Sequence, residues 1–309
     1  MKIYYGLNEF GNVKNPVVTT GTFDGVHLGH RKIINRLKEI SLKIGGETVI
    51  LSFSPHPRLV LFPEDNNLKL LSSDSEKTKL LAEAGVAHLI IHPFTKEFSR
   101  LSSAEYVRDV LVNKIGTKKL VIGYNHQFGR NREGSFEHLK EFGFSYGFEV
   151  EEIPALDLDN VNISSTKIRE ALIRGDISTA ARYLGYNYSI TGKVVQSSKT
   201  GRTIGFPTAN IVPCERLKMI PSDGVYAVEV FHKGAELKGM MNIGVKPTVT
   251  EQNKRTIEVH IFDFNKDIYD QELTVVFRKR LREEKKFSSL EGLKAQLEID
   301  KTSALDSFS

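Results

Sequence analysis

Tryptophan is absent from the sequence, and cysteine occurs only once, at Cys214. A single cysteine excludes a disulfide framework and is typical of a protein kept in a reducing compartment. The sequence contains no run of about 18 apolar residues, so we expect no membrane-spanning helix. The first residues also lack the apolar core of a signal peptide. We therefore expect a cytoplasmic protein with no membrane partner.

An excess of one charge is also missing, because 43 basic and 38 acidic residues leave a net charge of only +5 over 309 residues. A nucleic-acid-binding protein concentrates its positive charge on one stretch or face. The densest basic run, residues 278–286, contains two glutamates that dilute it. We expect no nucleic-acid partner, although an RNA-binding barrel stays open as an alternative. The content of 40% hydrophobic and 26% charged residues indicates a globular chain, and its length suggests two domains.

The first part of the chain alternates apolar strands with helical patterns of hydrophobic residues. Such alternation predicts an α/β domain with a parallel sheet, in which ligands bind beyond the carboxyl ends of the strands. The expected strands are at 16–20, 48–53, 88–91, 119–122 and 148–153, and the expected helices are at 33–40, 75–84, 104–112 and 166–174.

Near Leu184 the pattern changes to short alternating strands with frequent glycine, which is typical of a small closed β-barrel. We place the domain boundary there, with one domain over 1–185 and the other over 186–309. A C-terminal helix should follow the barrel, introduced by a capping box from Ser288 to Glu291, and the tail after Lys301 should be frayed. The expected barrel strands are at 189–195, 224–231, 237–243, 255–262 and 273–280.

A glycine turn between the first strand and the first helix carries the clearest motif, Gly21-Thr22-Phe23-Asp24-Gly25-Val26-His27-Leu28-Gly29-His30. Its spacing matches neither the dinucleotide fingerprint nor a Walker loop. His27 and His30 should share one face of the first helical turn, at a helix end that favours anions. Both rings could then donate to one phosphate. A turn with two solvated histidines and a two-histidine metal site are the alternatives.

Three further loops follow strands at the same edge of the predicted sheet. The loop 54–57 is stiffened by two prolines, and His56 within it fits a ligand contact and a turn-filling role equally well. The loop 123–134 contains two arginines, which match phosphate, and aromatic residues that could stack on planar rings. The segment 162–169 offers a serine N-cap, Ser164 or Ser165, followed by basic residues.

The HxGH motif at His27–His30 resembles the signature of the nucleotidyltransferase superfamily. The second half carries GRTIGFPTAN at 201–210, DGVY at 223–226, GMMNIG at 239–244 with Pro247-Thr248, and EVHIFD at 258–263. This set in this order resembles the flavokinase barrel. Taken together, essentially residues 1–300 resemble the prokaryotic bifunctional riboflavin kinase/FMN adenylyltransferase family, also called FAD synthetase.

The resemblance implies a Rossmann-like nucleotidyltransferase domain followed by an antiparallel flavokinase barrel with a C-terminal helix. It also implies two reactions. The barrel would transfer the γ-phosphoryl group of ATP to riboflavin, giving FMN and ADP. The first domain would transfer the adenylyl group of a second ATP to FMN, giving FAD and pyrophosphate.

The resemblance further implies roles for individual residues. In the barrel, Glu258 would be the catalytic base, and Thr208 and Asn210 would hold Mg²⁺ with ATP. His27 and His30 would be the catalytic phosphate donors of the first domain. The implied ATP contacts are Gly21, Phe23, Asp24, Gly25, His27, His30, Asn125, Ser164, Ser165, Thr166, Arg169, Gly201, Thr208 and Asn210. The implied flavin contacts are Phe62, Tyr106 and Phe128 in the first domain and Arg282 and Phe287 in the barrel.

Two positions depart from the family pattern, and simpler structural roles stay open for several residues. His126 stands where the family usually has phenylalanine, and the loop 196–199, with Ser197-Ser198, lacks the usual glycine. Glu258 also fits an exposed strand position, Tyr106 a core position, and Arg282 and Phe287 a solvated approach to the helix. A different nucleotidyltransferase with an unrelated barrel is the second enzyme alternative.

Overall fold

A computed structural model describes residues 1–64, 67–124, 126–158, 161–196, 201, 204–246 and 254–308. Asn125, Ser197-Ser198 and Pro247-Thr248, which the sequence analysis singled out, lie outside these residues. The chain divides into two compact units, Met1–Ser165 and Thr166–Ser309. This division lies before residue 185, where the sequence analysis placed the boundary. That residue 185 separates the two functional domains stays a prediction. None of the helices in the described ranges is long and apolar enough to cross a membrane.

The first unit is built on a six-stranded parallel sheet with the order β1-β4-β3-β2-β5-β6. Its central strands are buried on both faces, as is usual where helices cover both sides of a parallel sheet. β1 was missed because three residues are too few to show a period. The strands are β1 (Lys2–Tyr4), β2 (Pro16–Thr20), β3 (Glu47–Ser54), β4 (His88–Pro93), β5 (Lys119–Gly123) and β6 (Glu149–Ile153).

The helices of the first unit bury their apolar faces on this sheet. In the first helix Ile34, Leu37 and Ile40 point into the core at helical spacing, and the helix ends at Gly45 with a φ of 60°. A hairpin of β7 (Asp157–Leu158) and β8 (Val161–Asn162) follows the sheet. The helices are α1 (Leu28–Ile44), α2 (Pro57–Leu61), α3 (Asp74–Glu83), α4 (Ser103–Glu105, continued by a π-helix over Tyr106–Lys114) and α5 (Phe136–Tyr146).

The second unit is a closed antiparallel barrel with the order β10-β13-β12-β11-β14-β9, accompanied by helices. The expected fold class, an α/β domain followed by a small barrel and a C-terminal helix, is confirmed. The sixth strand, β10, follows the proline of the GFPTAN segment, and the sequence analysis did not separate it. The elements are α6 (Ser165–Arg174), α7 (Ile177–Leu184), β9 (Ser189–Val195), β10 (Ala209–Pro213), β11 (Gly224–His232), β12 (Ala235–Lys246), β13 (Lys254–Ile261), β14 (Glu272–Arg282) and α8 (Leu290–Asp306).

Two expectations for the C-terminal helix were wrong. The N-cap of α8 is Ser289, which accepts from the backbone N–H of Gly292 at 3.1 Å, so glycine stands where a capping box needs a carboxylate or amide. The tail is not frayed after Lys301, because α8 continues to Asp306. Ala304 is fully buried, and Phe308 packs against the same cluster.

Candidate functional sites

The glycine turn after β2 places both histidines at the start of α1. The backbone φ angles of Phe23, Gly25 and Val26 are 50°, 81° and 36°, which reverse the chain within a few residues. A β-branched residue with positive φ is strained, and such strain persists only where the surroundings fix it. Val26 is fully buried. The expected strand–turn–helix context of the HxGH motif is therefore present.

The His27 and His30 rings stack on each other, with centroids 3.7 Å apart and planes inclined by 17°. His27 is the N-cap of α1, and its Nδ1 accepts from the backbone N–H of His30 at 3.3 Å. Because Nδ1 accepts, the neutral ring carries its proton on Nε2, an assignment that follows from this hydrogen bond. His27 is only 5% exposed, so the alternative of two solvated histidines is wrong.

His30 is held in its neutral form. Its ring packs against Phe23, with centroids 4.9 Å apart. Burial, together with the neighbouring His27, lowers the pKa of His30 well below its usual 6.5. Its Nδ1 is buried and has no hydrogen-bond partner among the residues that the structure describes. Buried polar atoms are rarely left unsatisfied, so this nitrogen marks a place for a ligand or water.

Gly29 leaves the space that the His27 ring occupies. A Cβ at this position would lie 3.1 Å from both Cε1 and Nδ1 of His27 and 3.6 Å from the Ile163 carbonyl oxygen. Any side chain here would therefore press on the imidazole. This contact explains why a glycine separates the two histidines of the motif.

Asp24 fixes the shape of the turn. Its buried carboxylate accepts from the backbone N–H groups of Leu71 at 2.9 Å and Ser72 at 3.0 Å. The Ser72 hydroxyl oxygen in turn accepts from the Gly25 N–H at 2.9 Å. At the start of α6, Ser165 Oγ donates to the Asp24 carbonyl oxygen at 3.0 Å. These bonds give Asp24 a structural role, and a direct contact with ATP stays a prediction.

Most of the other residues expected to contact ATP lie at the start of α6. Ser164 precedes α6, whereas Thr166 and Arg169 lie in its first part and belong to the second unit. Their contacts with ATP, and that of Asn125, stay predictions. His56 is the N-cap of α2 and accepts from the Arg58 N–H at 3.2 Å, so the structure shows its turn-filling role.

A continuous series of aromatic rings begins at the carboxyl ends of β3 and β4. Phe53 contacts Phe94 and Phe98, with centroids 5.5 and 5.6 Å apart. Phe98 then contacts Tyr106 at 6.1 Å, and Tyr106 contacts Phe128 at 5.6 Å. Tyr106 and Phe128 are buried in the core, whereas the first three rings are partly exposed. These three rings were not predicted from the sequence, although Phe53 and Phe94 each stand near a predicted strand end.

The three rings expected to contact flavin in the first unit differ in exposure. Phe62 is 60% exposed, so its ring is accessible. Burial raises the pKa of Tyr106 to about 12, so this phenol stays protonated and is no acid–base group near neutral pH. Tyr106 therefore occupies the core position that stayed open as its alternative. Flavin contacts of Phe62, Tyr106 and Phe128 stay predictions.

His126, which stands where the family usually has phenylalanine, is held as a neutral ring. It stacks on Phe128, with centroids 6.1 Å apart and planes inclined by 17°. Burial, together with Arg132, lowers the pKa of His126 to about 4. An uncharged imidazole packs much as an aromatic hydrocarbon ring does, so the stacking beside Phe128 is retained.

In the barrel, Glu258 lies in a row of polar side chains on one face. It pairs directly with Asn210 on β10 and with Asn242 on β12. Directly paired residues of antiparallel strands project to the same face, so these three side chains are neighbours. Thr208 Oγ1 donates to Glu258 Oε2 at 3.3 Å. The sequence analysis missed Asn242, although it lies within the GMMNIG segment.

Gly201 approaches this row closely. Its carbonyl oxygen accepts from the Phe206 N–H at 2.9 Å. A Cβ on Gly201 would lie 2.3 Å from the Phe206 carbonyl oxygen and 3.6 Å from Thr208 Oγ1. Only glycine fits there, which brings this backbone next to the threonine hydroxyl.

The C-terminal helix α8 covers the same barrel face. Met240 pairs with Ala227 and His260, and His260 stands two residues after Glu258, so all four side chains share that face. Met240 and Ala227 pack against Ala304 of α8. The polar row therefore lies on the side of the barrel that the helix covers.

Arg282 is held by Asp300 of α8. Arg282 Nε donates to Asp300 Oδ1 at 2.9 Å and Nη2 donates to Oδ2 at 2.7 Å. Their side chains are 15% and 3% exposed, so the solvated alternative is wrong for Arg282. The guanidinium carbon lies 5.8 Å from the centre of the Phe287 ring. Flavin contacts of Arg282 and Phe287 stay predictions.

The oxygen atoms around Glu258 suit a divalent cation that arrives with a nucleotide. Carboxylate, hydroxyl and amide oxygens are the ligands that Mg²⁺ prefers, usually with substrate phosphates completing the shell. Groups of three His, Cys, Asp or Glu side chains that could hold a metal are absent from the described part of the chain. The two-histidine metal site therefore has no third ligand of these types there.

Comparisons with known proteins cover both units. The sequence model of FAD synthetase matches residues 11–167, and that of riboflavin kinase matches residues 184–308. Two curated relatives are bifunctional riboflavin kinase/FMN adenylyltransferases. The one from Pseudomonas fluorescens is 39% identical, over 93% of this chain and 91% of the relative. The one from Escherichia coli K12 is 38% identical, over 100% of this chain and 98% of the relative.

A solved structure is similar over the same length. It is described as a macrolide-efflux protein from Streptococcus pneumoniae, is 30% identical, and covers 98% of both chains with a TM-score of 0.89. That description belongs to the other protein. Two matching family models and full-length relatives at 38–39% identity show the family. The chain belongs to the bifunctional riboflavin kinase/FMN adenylyltransferase family.

Proposed function

We propose that this chain makes FAD from riboflavin in two ATP-dependent steps, each at its own site. The barrel phosphorylates riboflavin to FMN, and the first unit adenylylates FMN to FAD. The observation that supports this most is the direct pairing of Glu258 with Asn210, with Thr208 hydrogen-bonded to the same carboxylate. A carboxylate beside the two residues proposed to bind Mg–ATP supports the assignment of a base there.

In the kinase step the nucleophile is a ribityl hydroxyl of riboflavin, which must lose a proton. A positioned carboxylate suits this task, as the catalytic aspartate does in protein kinases. We assign the base to Glu258. The hydroxyl oxygen attacks the γ-phosphorus of ATP, the proton passes to the Glu258 carboxylate, and ADP leaves.

Thr208 and Asn210 are the residues proposed to hold Mg²⁺ together with ATP. When bound, the ion neutralises phosphate charge and orients the triphosphate. The residues themselves provide oxygen ligands on one face of the barrel, with Asn210 fixed by its strand pairing. Gly201 allows the backbone to approach Thr208, which fits a nucleotide-binding role for this segment.

In the adenylylation step the nucleophile is the phosphate of FMN, which is already largely ionised near neutral pH because its second pKa is about 6. An oxygen of FMN attacks the α-phosphorus of the second ATP, and pyrophosphate leaves. No general base is needed. Hydrogen-bond donors that stabilise the developing charge suffice, and His27 and His30 at the start of α1 suit this role.

The remaining proposed contacts follow the same division. In the first unit Phe62, Tyr106 and Phe128 are assigned to the flavin, and the glycine turn and Ser165 to the nucleotide. Riboflavin, FMN, FAD, ATP, ADP and pyrophosphate are the proposed small-molecule partners. We also propose a reducing cytoplasm as the compartment, because the one cysteine, Cys214, is an exposed free thiol.

The test is incubation of the purified chain with riboflavin, Mg²⁺ and ATP, followed by chromatographic separation of riboflavin, FMN and FAD. We expect FMN to appear first and FAD to follow, with FAD formed directly when FMN is supplied. Absence of both products would contradict the proposal. Copurified material absorbing in the nucleic-acid band, with no flavin turnover, would favour the RNA-binding alternative.

A further inference from the structure

The ion pair between Arg282 and Asp300 is the most enclosed one described in the barrel unit. Asp300 accepts three hydrogen bonds from the guanidinium, two of them from Nε, and a fourth from Gln296 Nε2, at 2.9 Å. Its side chain is 3% exposed. The pair therefore holds the end of β14 against the middle of α8 with a fixed geometry.

Stability alone is a weak reason for this pair. Removing two charges from water costs about as much as their attraction returns, so a buried ion pair contributes little net stability. The helix is also attached by an apolar cluster in which Ala304 packs with Met240 and Phe262. Since α8 is attached without this ion pair, the pair is better explained by the orientation that it imposes on the Arg282 side chain.

The pair lies at the end of the strand row that contains Glu258. Glu258 pairs with Asn242, Asn242 with Val225, and Val225 with Arg282. Three strand steps lead to the opposite side of a closed six-stranded barrel, but the segment after Arg282 lies beside the row, because Glu284 packs against Gly244 on β12, two residues after Asn242. A substrate whose hydroxyl meets Glu258 can therefore reach the segment 283–287.

The Arg282 guanidinium also organises the segment that follows β14. While Nε and Nη2 face Asp300, Nη1 donates to the Glu283 carbonyl oxygen at 2.9 Å. The same guanidinium lies over the Phe287 ring. One side chain thus links the buried carboxylate to both ends of the segment 283–287.

We propose that Asp300 is a positioning residue for riboflavin in the kinase reaction, acting by fixing Arg282 and through it the segment 283–287 that receives the flavin ring. This inference rests on the proposed function and adds a residue that does not itself touch the substrate. Its consequence is that loss of the Asp300 charge weakens riboflavin binding more than it slows phosphoryl transfer.

The test is Asp300→Asn in the full chain, with FMN formation measured against riboflavin concentration. We expect KM for riboflavin to rise about ten- to hundredfold, the usual effect of losing a hydrogen bond to a charged group. We expect kcat to stay within about threefold, because Glu258 is untouched. FAD formation from supplied FMN should be unchanged, because it belongs to the first unit, and the retained kcat for FMN formation reports that the barrel has folded.

Glu229→Gln is the matched control, because it removes a different ion pair of β14, in which Arg278 Nε lies 3.5 Å from Glu229 Oε1 on β11. It should leave KM for riboflavin unchanged. In a background of Arg282→Ala, Asp300→Asn should add little to KM if Asp300 acts through the arginine. A large additive change would contradict that coupling.

Two results separate the possible failures. If the unmodified chain makes no FMN, the proposed function fails. If it makes FMN and Asp300→Asn changes only thermal stability, or lowers kcat with KM unchanged, this inference alone is overturned. Should Asp300→Asn not fold, Gln296→Ala removes only one bond to Asp300 and should raise KM about two- to tenfold; an unchanged KM there would overturn the inference as well.

Discussion

The His27 ring lies flat on the His30 ring, and the backbone N–H of His30 donates to Nδ1 of the same His27. One residue therefore caps the helix and supports the other ring, and its neutral form carries the proton on Nε2. Because the pKa of His30 is well below its usual value, this ring is uncharged and avoids the desolvation cost of a buried cation.

Replacing both His27 and His30 by alanine should abolish adenylylation selectively. The loss of one preorganised donor costs roughly a hundredfold in rate or more. FAD formation from supplied FMN should fall by at least about that factor, while FMN formation from riboflavin continues at its normal rate. Chromatography of both reactions makes the measurement. Undiminished FAD synthesis would remove the two histidines from the proposed site.

Gly29→Ala should separate stability from activity. Alanine in a helix is favoured over glycine by about 1 kcal/mol, but its Cβ would lie 3.1 Å from the His27 ring. Displacement of a positioned group by about 1 Å can cost about a hundredfold in rate. We expect kcat/KM for FMN to fall about tenfold or more, with no loss of FMN formation.

Gly11→Ala is the control for this change, because a Cβ there meets open space and the φ is not in the left-handed region. Its kinetics with FMN should match those of the unmodified chain. If Gly29→Ala behaves like Gly11→Ala, the position of the His27 ring does not determine the adenylylation rate.

His126→Phe should make the protein more resistant to acid. The folded protein keeps His126 neutral down to a pKa of about 4, whereas the unfolded chain takes up a proton near the usual 6.5. The contribution of neutral His126 to the free energy of unfolding is thus fully present above pH 6.5 and is lost as the pH falls toward 4. At pH 5 this loss amounts to about 2 kcal/mol. Phenylalanine removes that part of it.

The measurement is the free energy of unfolding from denaturant titrations at pH 7.5 and pH 5, for both proteins. The lowered pKa of His30 also makes stability fall as the pH falls, but His30 is present in both proteins and its effect cancels in the comparison. An equal loss of stability in the two proteins would show that His126 is not held neutral.

The boundary near 185 can be tested with two fragments. Residues 186–309 should fold and make FMN from riboflavin, because this range contains the whole barrel. Residues 166–309 also contain α6 and α7, whose buried Leu172 accepts from the Ser222 N–H through its carbonyl oxygen at 3.0 Å. The longer fragment should therefore unfold at a higher temperature with the same kinase activity. A folded but inactive 186–309 fragment would place part of the kinase site outside it.

The elements that the sequence predicts well are those with local signals. The turn at 21–30 combines glycines, a buried strand before it and helical spacing after it, so its geometry follows from neighbours in the chain. The Glu258–Asn210 pairing is different, because a strand register across 48 positions depends on the closed barrel. From the sequence, only the resemblance to a family predicted that these two residues belong to one site.

The misses have the same physical origin. Phe53, Phe94 and Phe98 form ring contacts across loops, which no periodicity encodes. Asp300 lies in a helix whose sequence has the polar pattern of a solvent-exposed helix. Its burial depends on the contact with Arg282, which only the folded structure shows. The expected frayed tail was wrong because Ala304 packs on the barrel.

The central claim is that two independent sites share this chain, and Glu258→Gln tests it most directly. The amide keeps the shape of the side chain and removes the base, which typically costs about a hundred- to ten-thousand-fold. The variant should form FAD from supplied FMN at the normal rate and form almost no FMN from riboflavin, with a residual rate from nucleotide positioning. The measurement is the chromatographic yield of FMN and FAD from each starting flavin. Normal FMN production would contradict the assignment of Glu258, and loss of both activities in a folded protein would contradict the two-site account.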